Sequence, residues 1–223
     1  VNYPNMPTGA KATPELYQKL VDFALRHRIL LVNDNPYSFI LTGKPVSMLA
    51  AKGAEECCLE LNSLSKAHNM SGWRIGMVCG APELISEVLK VKSQMDSGMF
   101  KALQLAAVQA LEQGQEWFDE LNAEYSCRRE RAGRIFDLLG AKYNPDTAGL
   151  FLWGRIDRKY ATAAMTAGEA LSERILHEAG VFITPGFIFG KNGQDYIRIS
   201  LCAKPELLDK AFAKIEKAKD RIL

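Results

Sequence analysis

The stretch Asn62-Ser63-Leu64-Ser65-Lys66-Ala67-His68-Asn69-Met70-Ser71-Gly72-Trp73-Arg74-Ile75-Gly76 decides how the rest of this chain is read. Lys66 stands among small hydroxyls, and Arg74 follows after a polar loop that contains Gly72. A lysine amine held near a carbonyl carbon forms a Schiff base once it has lost its proton. An amine of ordinary pKa about 10.4 is a poor base at neutral pH, and desolvation and nearby cations can lower such a value. Serine hydroxyls and an arginine suit a phosphate, which takes several donors and a fixed cation. Alone the pattern is common, because most lysines are solvated surface groups. The surrounding chain has to decide it.

Immediately upstream, Cys58-Leu59-Glu60-Leu61 reads as a strand that runs into the lysine loop, and Arg74 to Cys79 reads as the strand that leaves it. Ile29-Leu30-Leu31-Val32 is an unbroken apolar run, the pattern of a strand buried on both faces, and it ends at Asn33-Asp34. Ahead of it, Thr13-Pro14-Glu15 opens a helix with Thr13 as N-cap and Pro14 at the first helical position. Leu16, Leu20, Phe23 and Ala24 are its expected apolar face. Asn2 to Gly9, with two prolines and a glycine, is turn chemistry. Helix and strands with polar residues gathered at the strand ends are how an α/β sheet presents a ligand site.

Downstream the texture changes to helical. The pattern predicts helices from Pro82 to about Met95, around Phe100 to Leu111, and from about Glu116 to Leu139, the last stopped by Gly140. The third turns Trp117, Leu121, Tyr125, Ala132, Ile135 and Leu139 inward, and its Arg128-Arg129-Glu130-Arg131 cluster reads as a solvated face. Strands are then expected at Gly149–Gly154, Val181–Ile183 and Tyr196–Leu201, with helices at Glu169–Ala179 and Pro205–Leu223. This is a smaller α+β domain entered by the long helix, so the predicted division is 1–115 and 116–223.

Composition narrows the function classes. With 28 basic and 26 acidic residues and a net charge of +2, the chain lacks the clustered basic excess of a nucleic-acid binder. No apolar run approaches a membrane span. Five cysteines without Cys-x-x-Cys spacing suit reduced thiols in a cytoplasmic protein, and three scattered histidines give a metal site little to build on.

Two further features complete a constellation. Asp34-Asn35-Pro36-Tyr37 lies at the end of a strand, beside the one that carries Lys66. A carboxylate there suits a pyridine nitrogen kept protonated, and the tyrosine suits a phenolic oxygen; an ordinary Asp-Asn-Pro turn fits the same residues. Arg198 sits inside the apolar strand Tyr196-Ile197-Arg198-Ile199, where a charge is costly unless paired. It serves either a substrate carboxylate or a structural ion pair.

With these residues in place the chain resembles the class I/II aminotransferases among the fold-type I pyridoxal phosphate enzymes, from Tyr3 to the C-terminus. The Pro7-Thr8-Gly9 turn resembles the family's Asn-Pro-Thr-Gly element, and Pro185 to Gly190 followed by Tyr196-Ile197-Arg198 resembles its carboxylate-clamp stretch. The resemblance implies the latter part of the large cofactor-binding domain, a mixed and mainly parallel α/β sheet, plus a small C-terminal α+β domain. It implies pyridoxal 5'-phosphate as cofactor, amino acids and 2-oxo acids as substrates, and a homodimer. Residue by residue, it makes Lys66 the Schiff-base lysine, and Asp34 and Tyr37 the partners of the ring nitrogen and phenolic oxygen. Ser63, Ser65 and Arg74 become phosphate ligands, and Arg198 the carboxylate clamp.

Two departures stand out. Met6 occupies the position of the asparagine that bonds the phenolic oxygen, and a thioether cannot donate that bond; Asn5, its neighbour, is the candidate substitute. The family's segments upstream of this turn have no counterpart, so the chain reads as the C-terminal portion of an aminotransferase. A carbon–sulfur lyase on the same fold shares every residue named. An aminotransferase-like effector domain without activity is the reading from a different class.

Overall fold

The computed structural model describes all residues from Val1 to Leu223. The chain forms two compact units, one of Val1–Asn5 with Ala10–Leu121 and the other of Met6–Gly9 with Asn122–Leu223. The division thus falls inside the long helix rather than at its start.

In the first unit, α1 (Pro14–His27) begins as its sequence requires. Thr13 is extended and its hydroxyl accepts the Leu16 N–H at 3.2 Å, while Arg28 closes the helix in the left-handed conformation. The buried face is Tyr17, Val21 and Ala24, which corrects the expected one. Phe23 is half exposed and packs on His27 with ring centroids 4.4 Å apart. Tyr17 takes the core position because its hydroxyl is bonded by Asn33, so the ring can be buried without stranding a polar tip.

Strand β1 (Leu31–Asp34) starts later than expected and is covered on one face only. Leu31 and Asn33 are buried, whereas Ile29, Leu30 and Val32 are exposed. The reason is packing: the core of Tyr17, Val21 and Ala24 lies on the Leu31 face, and Val32 points to the opposite one. A short helix, α2 (Ala54–Cys57), leads into β2 (Cys58–Ser63), which is parallel to β1, with Asp34 opposite Leu61. One helical turn, α3 (Leu64–Ala67), follows, and β3 (Gly76–Gly80) returns antiparallel with Gly76 opposite Ser63. The sheet is therefore mixed, with one pairing of each sense. Tyr17, Val21, Ala24, Leu31, Met48, Ala54, Cys57 and Cys58 form the core beneath it.

Helices α4 (Pro82–Met95) and α5 (Lys101–Leu111) match their expected bounds but fully bury no residue. Ala106, Ala107 and Ala110 of α5 rest against a smaller cluster of Leu64, Met70 and Ile75. The first turns of α6 (Gln115–Leu138) lock onto the lysine loop. The Trp117 indole donates to the Ala67 carbonyl at 2.9 Å, and Phe118 stacks on Phe39 at 5.0 Å.

In the second unit α6 buries Tyr125, Ala132, Ile135 and Phe136, and Gly140 ends it at φ +69°. Its arginine cluster is not a solvated face. Arg128 donates to the Leu201 carbonyl, Arg129 to that of Thr147, and Arg131 to Asp209, so the long side chains tie neighbouring segments down. Strands β4 (Lys142–Tyr143) and β5 (Phe151–Arg155), helix α7 (Ala167–Ala179), and strands β6 (Thr184–Pro185) and β7 (Tyr196–Ser200) build an antiparallel sheet in the order β4-β5-β7-β6. A capping box between Thr166 and Glu169 opens α7, and Gly180 closes it in the left-handed region.

Val181-Phe182-Ile183 is not a strand; pairing begins only at Thr184. The Ile183 carbonyl accepts the Ser172 hydroxyl, so a side chain takes the place of a ladder bond there. The closing helix is likewise two, α8 (Pro205–Lys217) and α9 (Lys219–Ile222), parted at Ala218. The Ala218 N–H turns back to the Lys214 and Ile215 carbonyls and ends the first of them.

Candidate active site

Parallel pairing carries Asp34 and Ser63 to the same edge of the first sheet. At that edge β2 passes straight into α3. Ser63 is the N-cap, extended at φ −139°, and its Oγ accepts the Ser65 N–H at 3.1 Å. Its own hydroxyl proton remains to be donated. Leu64 and Ala67 are buried and fix the rotation of the turn, which leaves Ser65 and Lys66 at its half-exposed side. The Leu64 carbonyl accepts from His68 and Met70, so the loop after Lys66 folds back onto the residue before it.

Arg74 reaches the same edge from the other direction. The Leu64 N–H donates to the Ile75 carbonyl at 3.3 Å, continuing the antiparallel register one step past the strand. Arg74 is left-handed at φ 53° and ψ 47°, and its Nη1 donates to the Ser71 carbonyl at 2.9 Å. Four of its five N–H donors lie beyond that bond. Gly76 permits the approach: a Cβ there would lie 2.7 Å from the Asn62 carbonyl oxygen. A capped serine, a second serine, an arginine fork and a lysine are the donor set a phosphate-bearing aldehyde requires. The residues fit such a group.

Asp34 is exposed, and its backbone is pinned on both sides, its N–H to Val1 and its carbonyl to the Asn2 amide at 2.7 Å. Asn35 is buried, with its N–H on the Leu61 carbonyl at 2.8 Å. Tyr37, half-buried, begins a turn closed by the Ile40 N–H on its carbonyl. Asn5 is half-buried, and its N–H donates to the Ala10 carbonyl at 2.9 Å.

Behind this edge lies a polar group that the sequence reading passed over. Glu60, on β2 and 7% exposed, accepts from the Met48 N–H at 2.8 Å and from Asn35 Nδ2 at 3.1 Å. Asn33 Nδ2 approaches it at 3.4 Å and also donates to the Tyr17 hydroxyl at 3.1 Å. Burial, with the Glu60 carboxylate adding to it, pushes the Tyr17 phenol up to about 12. The signal was available: a carboxylate between Leu59 and Leu61 is as anomalous as Arg198 between two isoleucines. Close by, His68 stands edge-on to Phe118 at 5.6 Å, and burial holds its imidazole below the usual histidine range.

Arg198 belongs to the second unit. It lies on β7 opposite Trp153 of β5 and Thr184 of β6. Its guanidinium carbon is 4.1 Å from the Phe151 ring centroid and 4.5 Å from that of Phe189. Met6 is there too: its sulfur accepts from Arg198 Nη1 at 3.4 Å, so the thioether that cannot donate serves as a weak acceptor. A cavity of about 490 Å³ in the same unit, between Val181–Thr184, β7 and α8, is lined mainly by aliphatic side chains and holds none of the lysine-loop residues.

Comparison with known proteins identifies the family of the fold. The chain matches the family described as aminotransferase class I and II over residues 1–215. It is 38% identical over 217 residues to the LL-diaminopimelate aminotransferase of Dehalococcoides mccartyi, covering 96% of this chain and 54% of that protein. To the enzyme of the same name from Aquifex aeolicus it is 38% identical over 221 residues, 98% of this chain and 56% of the other. Among solved structures, substrate-bound BacF from Bacillus subtilis superposes with a TM-score of 0.88 at 35% identity, over 97% of this chain and 55% of that one. An aminotransferase from Staphylococcus aureus gives 0.87 at 28% identity, over 100% and 58%. The α/β sheet with its lysine loop is thus of the aminotransferase kind. The chain belongs to the class I and II aminotransferase family, and it spans about half the length of the curated relatives it matches. No helix is long and apolar enough to cross a membrane.

Proposed function

We propose that the protein is a pyridoxal-phosphate-dependent aminotransferase, exchanging an amino group between an amino acid and a 2-oxo acid. The observation that carries the reading is the shared sheet edge, where Asp34 ends one parallel strand while the other runs through Ser63 into the turn bearing Lys66. The cofactor, when bound, supplies an electron sink for the carbanion left at the substrate's Cα. Lys66 Nζ would hold the cofactor at its aldehyde carbon and, once the substrate's amine had displaced it there, would be the amine that moves the proton from the substrate Cα. Asp34 would hold the ring nitrogen, and the Tyr37 hydroxyl and Asn5 would be the partners of the phenolic oxygen. Ser63, Ser65 and Arg74 would hold the phosphate. Arg198 takes the substrate's α-carboxylate, and the two flanking rings hold its fork in one plane.

On this reading the first unit is the cofactor-binding domain and the second the small domain. The names of the relatives make LL-diaminopimelate the first donor to try. The protein is a homodimer in this proposal, which the bare apolar residues of α4 and α5 support: Val91, Met95 and Phe100 beside them are each more than 60% exposed. A cytoplasmic location fits the five unbridged cysteines.

The test uses the complete protein with added cofactor. Transfer from LL-diaminopimelate to 2-oxoglutarate is followed by amino-acid analysis, and Lys66→Ala should abolish it. Full activity in that variant, or release of ammonia without an acceptor, would sink the assignment. Sedimentation of the same sample reads the dimer.

A further inference from the structure

Glu60 has no place in the chemistry just proposed, yet it bonds the residues on either side of Asp34 and stands on the strand that runs into the turn bearing Lys66. A carboxylate only accepts hydrogen bonds. Three donors converge on this one: the Met48 N–H, Asn35 Nδ2 and, at longer range, Asn33 Nδ2. All three residues are buried, so water offers them no alternative partner.

An acceptor of fixed polarity orders everything that follows from it. With Nδ2 of Asn35 turned to Glu60, its Oδ1 must face the other way, where it meets the Ser38 hydroxyl at 2.5 Å; Ser38 must therefore donate. Asn35 lies between Asp34 and Tyr37, and its N–H is fixed separately on Leu61. Asn33 is ordered in the same way. Its Nδ2 faces Glu60, Tyr17 and, at 3.4 Å, the Tyr3 carbonyl, and its Oδ1 accepts the Tyr3 N–H at 3.0 Å, just before Asn5. The carboxylate itself stands on β2, the strand that delivers Ser63, Ser65 and Lys66.

We infer that Glu60 is a positioning residue: through Asn35 it sets how Asp34 and Tyr37 leave β1, and through Asn33 it holds the turn bearing Asn5. The inference rests on the cofactor reading above. What it adds is a reason for a carboxylate rather than any polar group of that size. With the Asn35 amide as it stands, a glutamine would set its own NH₂ against that of Asn35 or against the Met48 N–H. An aspartate at position 35 would remove the first conflict, because the glutamine could then donate to it while Ser38 donates to the other oxygen.

The complete protein is therefore prepared as apoprotein in three further forms, Glu60→Gln, Glu60→Gln with Asn35→Asp, and Asn35→Ala. Pyridoxal phosphate affinity is measured by fluorescence titration, and amide exchange is measured without cofactor. Glu60→Gln should weaken cofactor binding about tenfold or more, the scale of one stranded buried donor, and speed exchange at Asn35 and Tyr3 but not at Val21 in α1. The paired variant should return both readouts most of the way, as packing alone would not. Asn35→Ala should loosen Asn35–Tyr37 and spare Tyr3. Wild-type affinity and exchange in Glu60→Gln, or equal loss in the single and paired variants, overturns the inference. If Glu60→Gln does not fold, wild-type exchange in Asn35→Ala overturns it alone. A wild-type protein that binds no pyridoxal phosphate refutes the cofactor reading instead, and the exchange results still decide the positioning.

Discussion

The lysine edge and the arginine strand hold their functional side chains by different means. Around Lys66, position comes from the backbone: strand register, a serine cap, a left-handed Arg74 and buried carbonyl contacts on each side of the loop. The side chains themselves are half-exposed or exposed. Around Arg198 the strand fixes only the Cα, and two aromatic faces and a thioether hold the guanidinium. On the proposed function, the lysine edge would grip its cofactor from a rigid backbone frame. The arginine would meet each substrate carboxylate from a guanidinium seated between two rings and a thioether sulfur.

The contrast can be broken most sharply at Arg198. Lysine there keeps the charge and loses the planar fork. In the complete enzyme Arg198→Lys should lower kcat/KM for the amino donor about 10- to 100-fold with cofactor affinity unchanged. A matching loss of cofactor binding would show that the arginine is part of the frame. Next comes Gly76→Ala, which strikes the frame through its backbone by placing a Cβ 2.7 Å from the Asn62 carbonyl. It should cost about 1–3 kcal/mol in urea unfolding and loosen the Ser63–Arg74 pairing. A neutral result would mean that the edge yields more than its geometry suggests.

The smallest effect concerns His68. Burial lowers its pKa in the folded state, so the unfolded chain, whose histidine titrates near about 6.5, takes up the proton first. The unfolded state then binds more protons as pH falls, and stability falls with it. Unfolding curves between pH 8 and 5 should therefore show stability declining below about pH 6.5. His68→Phe, which keeps a ring against Phe118, should flatten that part of the decline; an unchanged slope would place its origin elsewhere.

The legible parts of the sequence were those set by local chemistry. Thr13-Pro14 and Gly140 mark helix ends because caps and left-handed residues act over a few positions, whereas the Thr166 cap, which starts α7 two residues before the expected Glu169, was passed over. The polar residues around Lys66 and Asp34 were readable for a related reason, since each stands where an apolar strand stops. What escaped depended on partners distant in sequence. The run Ile29–Val32 says apolar but not that only one face of its strand is covered. Val181–Ile183 looks like a strand until Ser172 takes its carbonyl. Tyr17 is core only because Asn33 bonds its hydroxyl, and Glu60 draws its donors from Met48, Asn33 and Asn35.

One consequence of the way the chain is shared out concerns modularity. Met6–Gly9 belongs to the second unit although the residues on both sides of it belong to the first. The Gly9 carbonyl accepts the Ala148 N–H at 2.9 Å, and Gly9 lies so close to Thr147 that a Cβ would sit 2.6 Å from the threonine's own. The backbone thus crosses from one unit to the other three times. Neither unit is a continuous stretch of gene. A recombination point placed in α6 at Leu121, where a designer would cut, would separate Arg198 from the four-residue strap that meets it, and a chimera made there would inherit its strap from the wrong parent.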